Sequence, residues 1–375
     1  MRNKSVAVLD IRSSEICAAI AERGVNNTFI IKSKYSQPYE GYAEREILDV
    51  DDFVAAVKKA VGAISSSAET PVKEIYVGVP CEFIETVQTD KVLSFHSAQK
   101  ISRKHLVSIK NNSVPAVAPD ETVIKCGALY YILSDKRRLA NPLGMVSDSL
   151  RAKLSFFVCK NAFTDTVIRA LRGFPSIRVF HWIPQNYAQS LYLFEPENRD
   201  AYTLLLDLGF ISSTFNVVRG DGVAFSEAFS VGIGHIAVLL MEALDIPYTV
   251  AAELIKKVNL NAKEGGNSSV EVTADGKQYA YQASALRELV REGLDGLCGM
   301  LETCLQAFTL KDMTGAPIYI TGEGVGVIRG TTEHLSSRLV TPMEVISPKV
   351  PYYDKPQFSS LFSLLYAALG GNEAQ

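Results

Sequence analysis

The chain has no apolar stretch long enough to cross a bilayer, no Cys-x-x-Cys pair and no concentrated run of basic residues. Each absence excludes a class of protein. Without a long apolar run no segment is expected to span a membrane. The start, Met1-Arg-Asn-Lys-Ser-Val-Ala-Val-Leu-Asp10, reaches a carboxylate before a signal-length core develops. The cysteines, Cys17, Cys81, Cys126, Cys159, Cys298 and Cys304, lie far apart, so neither a zinc site nor a redox pair is indicated. They read as small buried hydrophobes of a protein kept in a reducing cytoplasm. Basic and acidic residues number 38 and 41, a net charge of -3, which builds no nucleic-acid surface. His96, His105, His181, His235 and His334 are scattered, and no triad or metal centre is proposed around them. Only His235, after Gly234 at a helix entrance, is marked as a possible cleft residue.

Two apolar strands that end in aspartate are what the sequence does contain. Val6-Ala-Val-Leu-Asp10 runs into Ile11-Arg-Ser-Ser14, and Leu204-Leu-Leu-Asp207 runs into Leu208-Gly-Phe-Ile-Ser-Ser-Thr214. A carboxylate followed by a tight backbone turn is the arrangement that holds phosphates and their metal ion. Its recurrence about half a chain later points to a duplicated, two-lobed α/β fold with a cleft between the lobes. The residues also admit a plainer reading, in which Asp10 and Asp207 cap ordinary turns.

The period of the pattern sets the organisation. Val6–Leu9, Ile16–Ala21 and Thr28–Lys32 predict a three-strand meander. A helix over 52–61 is expected next, capped by Asp51 and ended by Ser65-Ser-Ser67. Glu74–Pro80 predicts a buried strand stopped by proline. From Cys81 to Val158 the texture becomes sheet-rich, with strands at 121–127 and 150–158, a helix starting at Ser102 and a turn at Asn141-Pro-Leu-Gly144. The second half repeats the opening, with a strand to Asp207, Phe215–Val218, the turn Arg219–Gly222 and Val223–Phe229. Gly232 and Gly234 then lead into a helix over 235–244. Asp275-Gly276 marks a hairpin over 270–281, a long apolar stripe runs from Leu286 to Phe308, and Pro317–Gly322 supplies a last strand end.

These marks resemble the actin/Hsp70/sugar-kinase superfamily, and more narrowly the bacterial cell-division actin family FtsA. Asp10-Ile-Arg-Ser-Ser14 matches the first phosphate loop, Asp207-Leu-Gly209 the second, and Ser230-Val-Gly-Ile-Gly234 the glycine turn that follows. Ala140-Asn-Pro-Leu-Gly-Met145 with Leu150–Val158 resembles a segment of the FtsA inserted domain. Ala252–Lys257 looks like the nucleoside helix and Thr321-Gly-Glu-Gly324 like the adenosine loop. The resemblance implies an actin-like, ribonuclease H-like duplicated fold with related five-stranded sheets. The first lobe would span 1–80, completed by 160–198 and 348–371, with an FtsA-type insertion at 81–159 set beside it. The second would span 199–240 and 285–347, with a smaller insertion at 241–284. It further implies ATP or ADP with Mg, the metal at Asp10 and Asp207, and nucleotide contacts at Asp10, Arg12, Ser13, Asp207, Gly209, Ser212, Gly232, Gly234, Glu253, Lys256, Gly322 and Gly324.

The departures from that pattern bear most on function. Arg12 stands at a glycine position, Glu15 at that of a phosphate donor, Phe210 and Ile211 inside a glycine run, Thr214 at a carboxylate and Glu323 between two glycines. Phosphoryl chemistry rests on positioning and charge neutralisation, so weak or absent nucleotide binding and no efficient hydrolysis are expected. Arg12 either binds a phosphate or pairs with Glu15 across an empty cleft. Glu253 with Lys256 or Lys257 is either a nucleoside contact or a solvated helix-face pair. The expected function is a cytoplasmic FtsA-type division scaffold that self-associates or binds partners through 81–159. The alternative is a pilus-assembly or secretion adaptor resembling PilM, which grips a partner's peptide, and an active ATPase or sugar kinase ranks third. The end, Gly370-Gly-Asn-Glu-Ala-Gln375, shows no amphipathic anchor, so either membrane association comes through a partner or the chain is a truncated form.

Overall fold

The structure is a computed structural model that describes residues 5–25, 28–262, 268–308 and 315–370. The chain opens with an antiparallel meander of β1 (Ser5–Ile11), β2 (Glu15–Arg23) and β3 (Phe29–Pro38). A short pair, β4 (Tyr42–Ala43) and β5 (Glu46–Ile47), precedes α1 (Val50–Ser66). Its cap is Asp49 rather than Asp51, because the Asp49 carboxylate accepts the amides of Asp51 and Asp52, both at 2.9 Å. The serine run does not break the helix at Ser65. Ser66 Oγ donates to Gly62 O at 2.9 Å, an internal bond that lets a serine ride the last turn.

β6 (Glu74–Val79) lies parallel to β1. After a 3-10 turn at Cys81–Phe83 the chain leaves this sheet for β7 (Ile84–Lys100), α2 (Arg103–Asn111), β8 (Glu121–Leu133), β9 (Arg138–Leu139) and β10 (Val146–Lys160). These strands make their own four-stranded sheet in the order β7-β10-β8-β9. The chain returns through α3 (Asn161–Leu171) to β11 (Val179–Pro184) and α4 (Gln185–Leu193).

The second half follows the same plan. It runs through β12 (Thr203–Asp207), β13 (Ser213–Arg219), β14 (Gly222–Phe229), α5 (Gly234–Leu244), α6 (Tyr248–Lys257) and the hairpin β15 (Ser269–Ala274) and β16 (Lys277–Gln282). It closes with α7 (Ala283–Ala307), β17 (Ile318–Thr321), α8 (Thr331–Leu339), β18 (Met343–Val345) and α9 (Ser359–Ala368).

The duplication is visible in the topology. One five-stranded sheet runs β11-β6-β1-β2-β3 and the other β18-β17-β12-β13-β14. In both, the first three strands are antiparallel and the two later strands extend the sheet in parallel. Alternating side chains of β1 and β2 supply two faces. Leu9, Ile11 and Ile16 pack on Phe53 and Val57 of α1 and Val167 of α3. On the opposite face Val6, Val8, Cys17 and Ala19 meet Leu361, Phe362, Leu364 and Leu365 of α9. The last helix thus completes the lobe that the first strands begin.

The inserted sheet is rooted in the first lobe but also packs on the second. Leu129 of β8 is buried in the second lobe's core, and Val223 of β14 in the first lobe's. The join is tight at Gly127 and at the β13–β14 turn, where Asp221 N donates to Ala128 O at 2.8 Å and Gly220 holds φ +54° against the carbonyls of Ala128 and Leu129. A Cβ on Gly127 would fall on Asp221 O, a backbone atom that cannot swing aside. Gly127→Ala is therefore expected to cost about 1–3 kcal/mol in urea unfolding. Gly173→Ala, with open space at the new methyl, should stay within about 0.5 kcal/mol of the parent.

Candidate functional site

Both sequence-marked aspartates lie at the ends of the first strands of their sheets and face each other across the interlobe cleft. Asp10 is fully buried in β1, and Asp207 closes β12. The two carboxylates are engaged to different degrees. Asp10 Oδ1 accepts from Gln185 Nε2 at 2.9 Å and from Ser360 Oγ at 2.5 Å, and its Oδ2 accepts from Arg12 Nε at 2.9 Å. Asp207 Oδ2 accepts from Gln189 Nε2 at 2.6 Å. Gln185 and Gln189 sit four residues apart on α4, so one helical face serves an aspartate from each lobe.

Arg12 spans Asp10 and Glu15, with Nη1 at 2.9 Å from Glu15 Oε1. Of the two sequence readings, the structure gives the ion pair within the first loop. Burial works against the guanidinium charge, but Asp10, Glu323 and Glu15 outweigh it and hold Arg12 more firmly protonated than usual.

The backbone amides of the second loop are also occupied. Phe210 N donates to Glu323 Oε1 at 3.2 Å, and Ile211 N donates to Ser13 Oγ at 3.0 Å. Ser14 Oγ donates to the same Glu323 oxygen at 3.3 Å. Residues of the first and third loops thus bond the amides of the second, where a bound phosphate would look for donors. Burial is the main force raising the Glu323 carboxyl above its ordinary range. Arg12 and the Phe210 amide pull it down, while Glu15 and Asp207 push with the burial. Asp207 is also raised, first by burial and then by Asp10, against the pull of Gln189 and Arg12.

The other marked residues divide into two groups. Gly209, Ser212 and Gly322 line the cleft cavity. Gly209 O and Phe210 O accept from the amides of Ile233 and Gly234, at 3.0 and 2.8 Å. Gly232 N donates to His235 Nδ1 at 3.1 Å, and Gly324 N to Leu208 O at 2.8 Å. Gly322 has φ +104°, and a Cβ added there would fall on the Asp207 carboxylate and Leu208 O, so a side chain is excluded by backbone and space together. Glu253 and Lys256 are not drawn in. They form an exposed i,i+3 pair at 2.6 Å, and Lys257 donates to Glu271 O at 2.5 Å rather than pairing with Glu253.

The cleft cavity, lined by Arg12, Ser13, Gln189 and Asp207 among others, measures about 50 Å³, against the several hundred Å³ usual for ligand pockets. A recess of about 680 Å³, lined by Ser14, Tyr39, Phe210, Ile211, His235 and Tyr248, lies on the other side of the same loops. The donor set does not fit a divalent ion. Three protein donors already fill Asp10, one of them the Arg12 cation. Among the described residues no group of three or more His, Cys, Asp or Glu side chains could hold a metal.

Gln185, Gln189, Ser360 and the acceptor role of Glu323 are absent from the sequence reading. Pro184 followed by two glutamines at helical spacing, at a strand end, was the available signal for the first two. A second buried network joins the lobes beside them. Asn186 Nδ2 donates to Asn216 Oδ1 at 3.2 Å and Ser226 Oγ at 3.0 Å, and Ser226 meets Cys81 Sγ at 2.9 Å. Burial pushes the Cys81 thiol up to about 12, so it acts as a neutral packing group.

No family model matches the chain. The cell division protein FtsA of Neisseria meningitidis serogroup B is 21% identical, over 100% of this chain and 93% of that one. FtsA of Pseudomonas aeruginosa is 19% identical, over 91% and 84%. Among solved structures, the PilM-PilN type IV pilus biogenesis complex gives a TM-score of 0.65 at 15% identity, covering 97% of this chain and 98% of the other. MreB5 of Spiroplasma citri bound to AMPPNP gives 0.57 at 10% identity, covering 98% and 96%. The sequence relatives are cell division proteins, whereas the higher-scoring of these two structures is a pilus biogenesis complex. What they share with the two duplicated sheets described above is an actin-like fold, and the chain is a distant homologue of the actin/Hsp70 ATPase superfamily.

Proposed function

We propose that this chain is an actin-superfamily adaptor that works by holding a protein partner, in the manner of PilM, and that its cleft is closed by its own side chains instead of by nucleotide. The observation that carries the reading is the occupied phosphate site. Glu323 and Ser13 take the amides of Phe210 and Ile211, and Arg12 supplies the cation between Asp10 and Glu15. A polyphosphate entering here would have to displace a carboxylate and a hydroxyl from the amides. It would then meet Glu15 and Glu323 in place of free donors.

The PilM reading is preferred to the division scaffold because the PilM-PilN complex, at a TM-score of 0.65, fits this fold better than the MreB5 and MamK structures at 0.57. FtsA-type division work remains the second reading, supported by the sequence relatives. In both, the module from β7 to β10 is the proposed partner or self-association surface. Deleting or masking it should abolish partner capture. Partner binding that survives its removal would overturn this assignment.

Calorimetric titration with ATP and magnesium should give no micromolar binding and no steady phosphate release. Micromolar affinity with turnover would restore the ATPase reading. The second expectation concerns pH. Because burial raises the folded-state values of Glu323 and Asp207, their contribution to stability is full below the ordinary carboxylate range, near ~4. It is lost as pH rises through the raised values. Glu323→Gln keeps an acceptor for Phe210 N without the charge, so its melting temperature should gain on the parent's between about pH 4.5 and about pH 7. A gap that moves the other way would mean that the ionised form is favoured at this site.

A further inference from the structure

A cavity of about 220 Å³ opens where the inserted sheet meets the second lobe, lined among others by Tyr130, Arg138, Leu139, Arg199, Asp200 and Arg219. Its three arginines are in different states. Arg199 is 1% exposed and fully engaged, with Asp221 Oδ1 at 2.6 Å, Gly220 O at 2.5 Å and Phe194 O at 3.2 Å. Arg219, the last residue of β13, is 9% exposed, and its guanidinium lies over the rings of Tyr130 at 4.9 Å and Tyr202 at 4.5 Å. Among the described residues no carboxylate or carbonyl accepts from it. Arg138 lies over Tyr130 at 4.5 Å and is likewise without an acceptor.

Ring faces attract a cation but take none of its five in-plane N–H donors, so the donors that reach the cavity stay open to an incoming acceptor. The chemistry that completes such a site is a planar or tetrahedral oxyanion, which arginine grips at two points. The pocket walls are fixed in advance, because Gly127, Gly220 and Gly222 press β8 onto the β13–β14 turn with no room for a side chain. β9, which contributes Arg138 and Leu139, pairs only with β8 and leaves its outer edge open. Charge favours an acidic occupant as well. From Ile84 to Lys160 there are twelve Lys or Arg and six Asp or Glu, in a chain that is acidic overall. Asp200 stands on the rim as the one opposing charge.

We propose that this pocket recognises an Asp or Glu side chain of a partner protein, delivered by an extended segment that pairs with the open edge of β9. The proposal rests on the adaptor reading and names the chemistry of the partner. The probe is a capped hexapeptide of alternating Glu and Val, titrated into the full chain beside its Gln-for-Glu counterpart and inorganic phosphate. The Glu peptide should bind saturably and the Gln peptide at least about tenfold more weakly. Arg219→Met retains the stem between the tyrosines and should lose about tenfold or more. Arg138→Gln, at an exposed position, should weaken binding without changing the melting temperature, which guards against a misfolded Arg219 variant.

Asp200→Asn should tighten binding. If it instead lowers the melting temperature while the parent binds no peptide, Asp200 is the internal partner of Arg219 and the proposal falls. Equal binding of Glu and Gln peptides, or full binding by Arg219→Met, overturns it too. Saturable phosphate binding without peptide binding would assign the site to a phosphate group and remove the protein segment. These outcomes leave the adaptor reading standing, whereas nucleotide turnover would remove that reading and not alter the peptide titration.

Discussion

Everything in the cleft depends on one helical face. Gln185 and Gln189, a turn apart on α4, hold Asp10 from one sheet and Asp207 from the other. A glutamine amide donates without carrying charge, so it can satisfy a buried carboxylate while leaving Arg12 free to span Asp10 and Glu15. Asn186, between the two glutamines, continues the connection to Asn216 and Ser226. The helix therefore acts as a strut between the two halves of the duplication, and the surrounding loops are arranged around a pair of carboxylates that it holds from both sides.

From that constraint follows the character of the site. In a nucleotide-dependent two-lobed protein the ligand brings the charge that draws the lobes together, and its loss allows them to part. Here the charges are built into the chain, with Glu323 on the amide of Phe210 and Ser13 on that of Ile211. The inserted sheet adds a second clasp by lending Leu129 to one core while Val223 enters the other.

The fold was legible in the sequence where hydrophobic period and turn chemistry agreed. The aspartate-ended strands, the Asp275-Gly276 hairpin and the stripe from Leu286 to Cys304 all occur as elements. Boundaries slipped where polar side chains had local choices, as at Asp49 and Ser66. The site was half legible. The unusual residues Arg12, Glu15, Phe210, Ile211 and Glu323 were visible against the resemblance, and the Arg12–Glu15 pair was one of two readings. That Glu323 turns to the amide of Phe210 was not visible, because the two residues are more than a hundred positions apart and meet only once β12 and β17 pair side by side in the second lobe's sheet. Lys257 shows the same limit, since helical spacing favoured Glu253 while the folded hairpin offered the carbonyl of Glu271.

The packing of α9 on β1 has a consequence for how the molecule is made. The helix that covers one face of the first strands, with Leu361, Phe362, Leu364 and Leu365, is synthesised about 350 residues after them. At ~5–20 residues per second the interval is roughly 20–75 s. For that time Val6, Val8, Cys17 and Ala19 present an uncovered apolar face, and Asp10 lacks the hydroxyl of Ser360. The lobe that β1 begins stays incomplete until α9 has been made, so the nascent chain carries a sticky half-sheet that a chaperone or a delayed collapse has to shelter over that interval.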